Sequence, residues 1–443
     1  MTQKWLLCGV CSMLFTGCSL KLKSEPMDFA CSILDDVTQT YTGARIFDQI
    51  QAEGSADMGN ANVQTMSTTG DQNAGTMPVD PLLEALQGAA NEPEIAASSD
   101  GQNIVNLLML SGGGQWGAFG AGMLNTANDQ NQLPDFTVVT GVSTGALQSI
   151  LVTTGELQLL EEQYKIKDQS DLVIEGGLTD VTSKGSLYDT TPLRKKIDSL
   201  LCEDQNCARI ASIARSNKRL FIGMVELGTG YFKSVDISRI AKAAFPRNPE
   251  DAKNAFTPLA ARDCITGVAM ASAAMPGFFK PVRINGKSYT DGGTRYSVFE
   301  ANAAQISDDV IGKTVSIYML RNGPTVLRHD GTVEAGQPLK KVDADPNIKH
   351  VALRAYSTIV NQSEISSIAV LRLARPRGNI RFATADGYLG EGQCSPSEPK
   401  KKGGLAPVFD ADFMQCLIKW GGTKATRVGG PWRALCELGT GSC

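Results

Sequence analysis

Apolar and polar positions divide the chain into unlike stretches. Trp5 to Phe15 is almost wholly apolar and eleven residues long, too short to span a bilayer and the size of a signal-peptide core. Residues 51–100 are dominated by Gly, Ala, Asn, Ser, Thr and Gln, with Pro78 and Pro81 and few aromatics. Such a composition cannot bury enough apolar area to offset the entropy of ordering. It predicts a spacer, interrupted by a short helix over Pro81 to Leu86. The pattern then changes. Ile104 to Leu110 is a continuous apolar run of strand length, as expected of a parallel strand buried on both faces. Ser111-Gly-Gly-Gly-Gln-Trp-Gly117 follows as a loop, and the small residues Ala118 to Gly122 open a helix. Phe136 to Thr140 and Leu220 to Val225 predict further core strands. Leu193, Ile197 and Leu200 recur at helical spacing, and His350 to Ala374 reads as a long helix. Strands alternating with helices put the fold in the α/β class. No internal repeat interrupts it.

Composition narrows the chemistry. The chain has 443 residues, with 42 Lys+Arg against 46 Asp+Glu, a formal net charge of -4. That balance, with no long basic run, argues against a nucleic-acid partner held through phosphates. The two histidines are His329, in the polar turn Arg328 to Gly331, and His350, at the opening of the long helix. Neither has a catalytic context, so no His-rich metal site is expected and no metal or cofactor is called for.

The cysteines point to export. The apolar leader ends in Phe15-Thr16-Gly17-Cys18, which resembles a bacterial lipoprotein signal, with Phe15 where Leu is usual. The resemblance implies a signal peptide over 1–17 and lipidation of Cys18. Ser19, in place of a retention-favouring Asp, tilts the destination toward the outer membrane of a bacterial envelope. Several acyl chains on Cys18 would make a lasting anchor. Cys8 and Cys11 leave with the leader; Cys31, Cys202, Cys207, Cys264, Cys394, Cys416, Cys436 and Cys443 remain. An even count in an oxidising compartment is compatible with disulfides. Cys202/Cys207 and Cys436/Cys443 are close enough for local loops, whereas Cys264, in an apolar stretch, reads as a buried thiol. With no C-x-x-C pair among those eight and no neighbouring histidine, zinc is discounted.

Gly141-Val-Ser143-Thr-Gly145 lies between a predicted strand and a helix, which is the context of a nucleophile elbow. There a serine is held on a strained turn at the positive end of a helix. The preceding glycine loop offers unobstructed backbone N–H groups for an oxyanion. The same loop also reads as G-x-G-x-x-G, but a dinucleotide site needs an acid at the end of the next strand, and here Gly141 to Gly145 stands in its place. Gly312-Lys313-Thr314 is not a P-loop, because Ser307 occupies the first glycine position and the strand follows it. Asp291-Gly292-Gly293, by itself a plain turn, is the remaining chemistry-bearing motif.

In chain order the triple-glycine loop, G-x-S-x-G and Asp-Gly-Gly resemble the patatin-like phospholipase family. Leu187 to Leu193, Leu220 to Val225 with Gly228-Thr-Gly230, and Ala269 to Val282 are similar to its intervening blocks. The resemblance covers residues 103–325, and segments of 326–443 look like the tail of lipoprotein members. It implies a three-layer α/β/α fold around a mostly parallel sheet, with a Ser-Asp dyad that needs no histidine. Ser143 would be the nucleophile, Asp291 the proton acceptor, and Gly112, Gly113 and Gly114 the oxyanion donors. Gly117, Gly141, Gly145, Gly292 and Gly293 are its motif glycines. The implied activity is acyl hydrolysis of lipid or phospholipid esters, without cofactor; no motif specifies a protein activator. A lipoprotein tether would span 18–102, the catalytic domain 103–325, and a Cys-containing extension packed on that domain 326–443. Two departures stand out: Trp116 replaces the Arg or Lys many members carry in the glycine loop, leaving the oxyanion site without a nearby cation. The Asn that often follows Asp-Gly-Gly is also missing. Trp116, Phe119, Met275, Phe278 and Phe279 are candidates either for the lining of an acyl cleft or for ordinary core. Asp291 can act as a base near neutral pH only if burial raises its pKa. A catalytically silent lipid-binding lipoprotein, and less readily a dinucleotide-binding oxidoreductase, are the alternatives.

Overall fold

The computed structural model describes residues 27–41, 80–91, 104–176, 186–247, 256–299, 311, 314–325, 348–374, 379–397 and 407–434. The leader, Cys18, His329, Cys436 and Cys443 lie outside the described residues. The strands are β1 Met27–Phe29, β2 Thr38–Tyr41, β3 Ile104–Leu110, β4 Val138–Val142, β5 Ile174–Glu175, β6 Tyr188–Asp189 and β7 Arg219–Glu226. They continue with β8 Phe232–Asp236, β9 Val282–Ile284, β10 Lys287–Asp291, β11 Thr314–Leu320, β12 Asn379–Ala383 and β13 Arg433–Ala434. The helices are α1 Pro81–Asn91, α2 Gly117–Asp129, α3 Thr144–Thr154, α4 Leu157–Tyr164 and α5 Thr191–Leu201. After them come α6 Ala208–Arg215, α7 Ile237–Ala244, α8 Pro258–Ser272, α9 Ile348–Ala374 and α10 Ala411–Ala425.

All strands but β5 and β6 share one sheet, ordered β1-β9-β10-β7-β4-β3-β11-β12-β13, with β8 and β2 joined through β7. The centre, β7-β4-β3-β11-β12, is parallel throughout; antiparallel pairs β7-β10, β9-β10, β7-β8 and β12-β13 flank it. The unbroken apolar run of β3 is explained by its two faces. Leu108 and Leu110 enter one core with helices α2 and α3, while Val105, Leu107 and Met109 enter a second core with α1 and Leu371 of α9. A strand covered on both sides has no solvent face on which to alternate. The result is a three-layer α/β/α arrangement.

Helix α8 shows how local sequence sets an element. Thr257 caps its start, its side chain accepting from the Ala260 N–H at 3.1 Å, and Pro258 occupies the first turn, where no N–H is needed. Its last residue is Ser272.

The tether expected over 18–102 is corrected for two segments. β1 runs parallel to β9, Met27 opposite Val282, and β2 runs antiparallel to β8, Thr38 opposite Val235. Phe29, Leu34 and Val37 are buried. The Asn285 side chain accepts from the Cys31 N–H at 2.9 Å and donates to its carbonyl at 2.6 Å. These strands are three and four residues long and lie outside residues 51–100, the stretch whose composition predicts a spacer. Likewise α1 extends past the expected Leu86 to Asn91 and buries Leu82, Ala85, Leu86 and Ala90. At the other end, β12 and β13 continue the central sheet beyond β11. Residues 379–383 and 433–434 therefore extend the sheet instead of docking on a finished domain.

Three disulfides join Cys31–Cys264, Cys202–Cys207 and Cys394–Cys416. The local Cys202–Cys207 loop matches the sequence expectation. The reading of Cys264 as a buried thiol does not hold: the N-terminal segment that was taken for spacer brings Cys31 to it.

Candidate active site

Strand register brings the two chemical motifs together. Val142 at the end of β4 lies opposite Gly223 of β7, and Asp291 at the end of β10 lies opposite Met224 of the same strand. Ser143 and Asp291 thus project from either side of β7 at adjacent levels. Leu110 of β3 faces Gly141, so the glycine loop emerges beside them. The site occupies the carboxyl ends of the parallel strands, where open α/β sheets place ligands.

Ser143 has φ 55° and ψ -123°, a conformation that residues with side chains rarely adopt, and α3 begins immediately after it. The turn is possible because a Cβ on Gly145 would overlap the Leu110 and Ser111 carbonyls. Gly117, Gly141 and Gly292 stand equally close to neighbouring chain. The Ser143 N–H donates to Ser272 Oγ at 2.9 Å, and the Ser272 hydroxyl donates to the Gly223 carbonyl at 2.6 Å. One residue on, Thr144 Oγ1 and the Tyr164 hydroxyl are 2.6 Å apart.

Asp291 is buried at 5% exposure. Its carboxylate accepts from the Gly293 N–H at 2.7 Å, and the Ser143 side chain lies beside it on the wall of the same cavity. Burial pushes its pKa from 3.8 up to about 6, against the downward pull of that amide and of the Ser143 side chain. A carboxylate so poised is ionised near neutral pH yet basic enough to take a proton.

The glycine loop departs from expectation at one position. The Gly112 N–H donates to the Ser297 carbonyl at 3.2 Å, so it is already committed and is removed from the expected oxyanion donors. Among the described residues, the Gly113 and Gly114 amides have no hydrogen-bond partner. Gly113, at φ 150°, is pressed so closely against Asn322 that no Cβ would fit. A buried network that sequence reading missed holds the loop. Ser111 Oγ donates to the Gly112 carbonyl at 2.7 Å and accepts from the Asn322 N–H at 2.9 Å. Asn322 Nδ2 donates to the Ser111 carbonyl and to Gln148 Oε1, both at 2.8 Å. Gln148 Nε2 donates to the Gly117 carbonyl at 2.7 Å.

Ser143, Asp291 and the loop line a cavity of about 380 Å³. Trp116, Met275, Phe278 and Phe279 line it, with Leu147 and Ile197 among the further apolar walls. Phe119 does not; it is fully buried in the core between α2 and the sheet. The cavity also contains a cation that sequence reading did not foresee. Arg321, just past β11, is held there by Glu364 and Asn361 of α9, each at 2.8 Å. Among the described residues no cluster could hold a metal ion, and no helix is long and apolar enough to cross a membrane.

Residues 108–304 match the family described as patatin-like phospholipase. The crystal structure of VipD from Legionella pneumophila is a structural match at 12% identity and a TM-score of 0.30, over 61% of this chain and 67% of that one. At that similarity it supplies no residue-level equivalence. No curated protein matches the chain.

Proposed function

We propose that this chain, whose residues 108–304 form a patatin-like phospholipase domain, is a lipid acyl hydrolase working through a Ser143-Asp291 dyad. The observation that carries the reading is the pairing of Ser143 with a buried Asp291 whose pKa sits at about 6, on the wall of one largely apolar cavity. Ser143 Oγ attacks the ester carbonyl carbon while its proton passes to Asp291. The developing oxyanion is met by the Gly113 and Gly114 amides. The carbon–oxygen bond to the alcohol breaks as Asp291 returns the proton to that leaving oxygen. Water then attacks the acyl-enzyme, again losing its proton to Asp291, and the free acid departs with Ser143 restored. The apolar walls suit an acyl chain. Hydrolysis of p-nitrophenyl esters of increasing chain length, with phospholipid alongside, tests this, and Ser143→Ala should lose at least about a thousandfold. A silent lipid-binding protein would retain ligand without turnover and show no difference between the two forms.

Anchoring at Cys18, and with it residence in the bacterial envelope on the outer membrane, belongs to the same proposal and rests on the apolar leader ending in Thr16-Gly17-Cys18. Cys18→Ala should release the protein from membranes or block its processing. A normally processed variant that still partitions with membranes would remove the anchor from the proposal.

A further inference from the structure

We infer that Ser272 is a positioning residue for the reaction: its hydroxyl holds the backbone of the nucleophile turn in the strained geometry that aims Ser143 at Asp291. The inference rests on the dyad reading above and goes beyond it, because Ser272 touches neither the substrate's reacting atoms nor the proton in transfer.

Ser272 ends α8 and is fully buried. Its oxygen accepts from the Ser143 N–H at 2.9 Å and its proton goes to the Gly223 carbonyl at 2.6 Å. Gly223 is the β7 residue opposite Val142, and its neighbour Met224 is the one opposite Asp291. One hydroxyl therefore ties the nucleophile's own amide to the strand that separates the two catalytic motifs. The Ser143 backbone, at φ 55° and ψ -123°, is in a conformation that costs on the order of 1–3 kcal/mol and persists only where the surroundings impose it. A buried N–H has no water to turn to if its acceptor is lost. Without Ser272 Oγ the turn can lower its energy by rotating, and rotation swings the hydroxyl away from Asp291. The same helix end supports the acid from the other side: the Asp291 N–H and the Thr290 hydroxyl both donate to the Ala274 carbonyl, at 3.0 and 2.7 Å. Residues 272–274 thus register both halves of the dyad.

The test is steady-state kinetics of full-length Ser272→Ala and Ser272→Thr with a soluble p-nitrophenyl ester across pH. Ser272→Ala should lower kcat about 10- to 100-fold, the scale of an ångström-size misplacement, with KM little changed. Because the Ser143 side chain is one of the groups holding the Asp291 pKa down, its displacement should also move the acid limb of kcat/KM upward from about 6. Ser272→Thr keeps the oxygen and should recover most of kcat and the limb. A merely structural role would lower the melting midpoint without moving the limb. Wild-type kcat in Ser272→Ala, or equal losses in both variants with an unmoved limb, would overturn the inference. Should Ser272→Ala not fold, Ser272→Cys takes its place, similar in shape but a weaker acceptor. A lower kcat with a raised limb supports the role, and wild-type values overturn it. Ser143→Ala separates the two ideas: if it stays active the dyad itself is wrong, whereas an inactive Ser143→Ala beside a normal Ser272→Ala removes only this inference.

Discussion

Two aspartates in this protein are almost equally hidden, Asp291 at 5% exposure and Asp410 at 6%, yet their pKa values are displaced in opposite directions. Burial is the first cause at both and acts upward on both. At Asp291 it wins, because only the Ser143 hydroxyl and the Gly293 amide oppose it. At Asp410 it loses to the N–H groups of Ser397, Phe413 and Asp412, which donate at 2.5, 3.2 and 3.1 Å, with the Ser397 side chain pulling the same way. Asp410 also caps the start of α10, where the helix favours an anion. Depth of burial and the number of donors decide the outcome together: Asp291 is the more deeply enclosed and the less supplied, while Asp410, which serves the fold, is saturated.

The widest gap should appear in activity. Asp291→Asn should lose about a thousandfold or more of ester hydrolysis, while Asp410→Asn, if folded, should stay within a few-fold. The kcat/KM profile of the wild type should rise through a limb near the Asp291 value of about 6, because the base must be ionised. Asp410→Asn should leave that limb in place; a shifted limb would show that the cap, too, tunes the base.

Stability should separate the pair with opposite signs. The raised Asp291 pKa contributes stability that is fully present below the ordinary carboxylate range and lost as pH rises through about 6. Ionising it in the folded protein costs on the order of 3 kcal/mol by that displacement. Asp291→Asn should therefore be more stable than wild type at pH 7.5, by about 2 kcal/mol once the amide's poorer fit is allowed for. Asp410 is lowered, so its contribution is present above the ordinary carboxylate pKa and fades as pH falls below it. Asp410→Ala should cost about 1–2 kcal/mol at neutral pH, as the loss of a helix cap does. Urea unfolding at pH 7.5 checks both; the same sign for the two would break the comparison.

The smallest effect is expected at the histidines. His329→Ala and His350→Ala should each stay within a few-fold of wild type in the same ester assay. A loss as large as that of Ser143→Ala in a folded variant would mean that a histidine, not Asp291, takes the proton.

Much of this centre was legible in the sequence because its demands are local. Gly145 is two residues from Ser143 and excluded a side chain for steric reasons that any strand-to-helix turn of this kind shares. The apolar run of β3 and the small residues after it mark a strand, a loop and a helix in one reading. What holds the turn in place was not legible. Ser272 is 129 residues from the amide it accepts from, and Asn322 is 211 from Ser111. Gly112 looked like its two neighbours until Ser297 was found opposite its N–H. Phe119 and Trp116 are three residues apart on one helical turn, and only the packing of α10 and the sheet shows that one faces the core and the other the cavity. The N-terminal strands failed for a different reason: each is so short that pairing with a distant edge, not its own pattern, makes it a strand.

The bond between Cys31 and Cys264 carries a consequence for timing. Its partners are 233 residues apart in a chain of 443, and synthesis proceeds from the N-terminus. Cys31 therefore emerges early and waits for more than half the protein to be made before its partner exists. The helix that the bond secures is α8, whose last residue steadies the nucleophile turn. In reducing surroundings the thiols stay open, and α8 is then kept in place by noncovalent contacts alone. A chain cut short before residue 264 leaves the first cysteine without its mate. Closure of this one cross-link thus records that synthesis has passed residue 264 and that the chain has reached an oxidising environment.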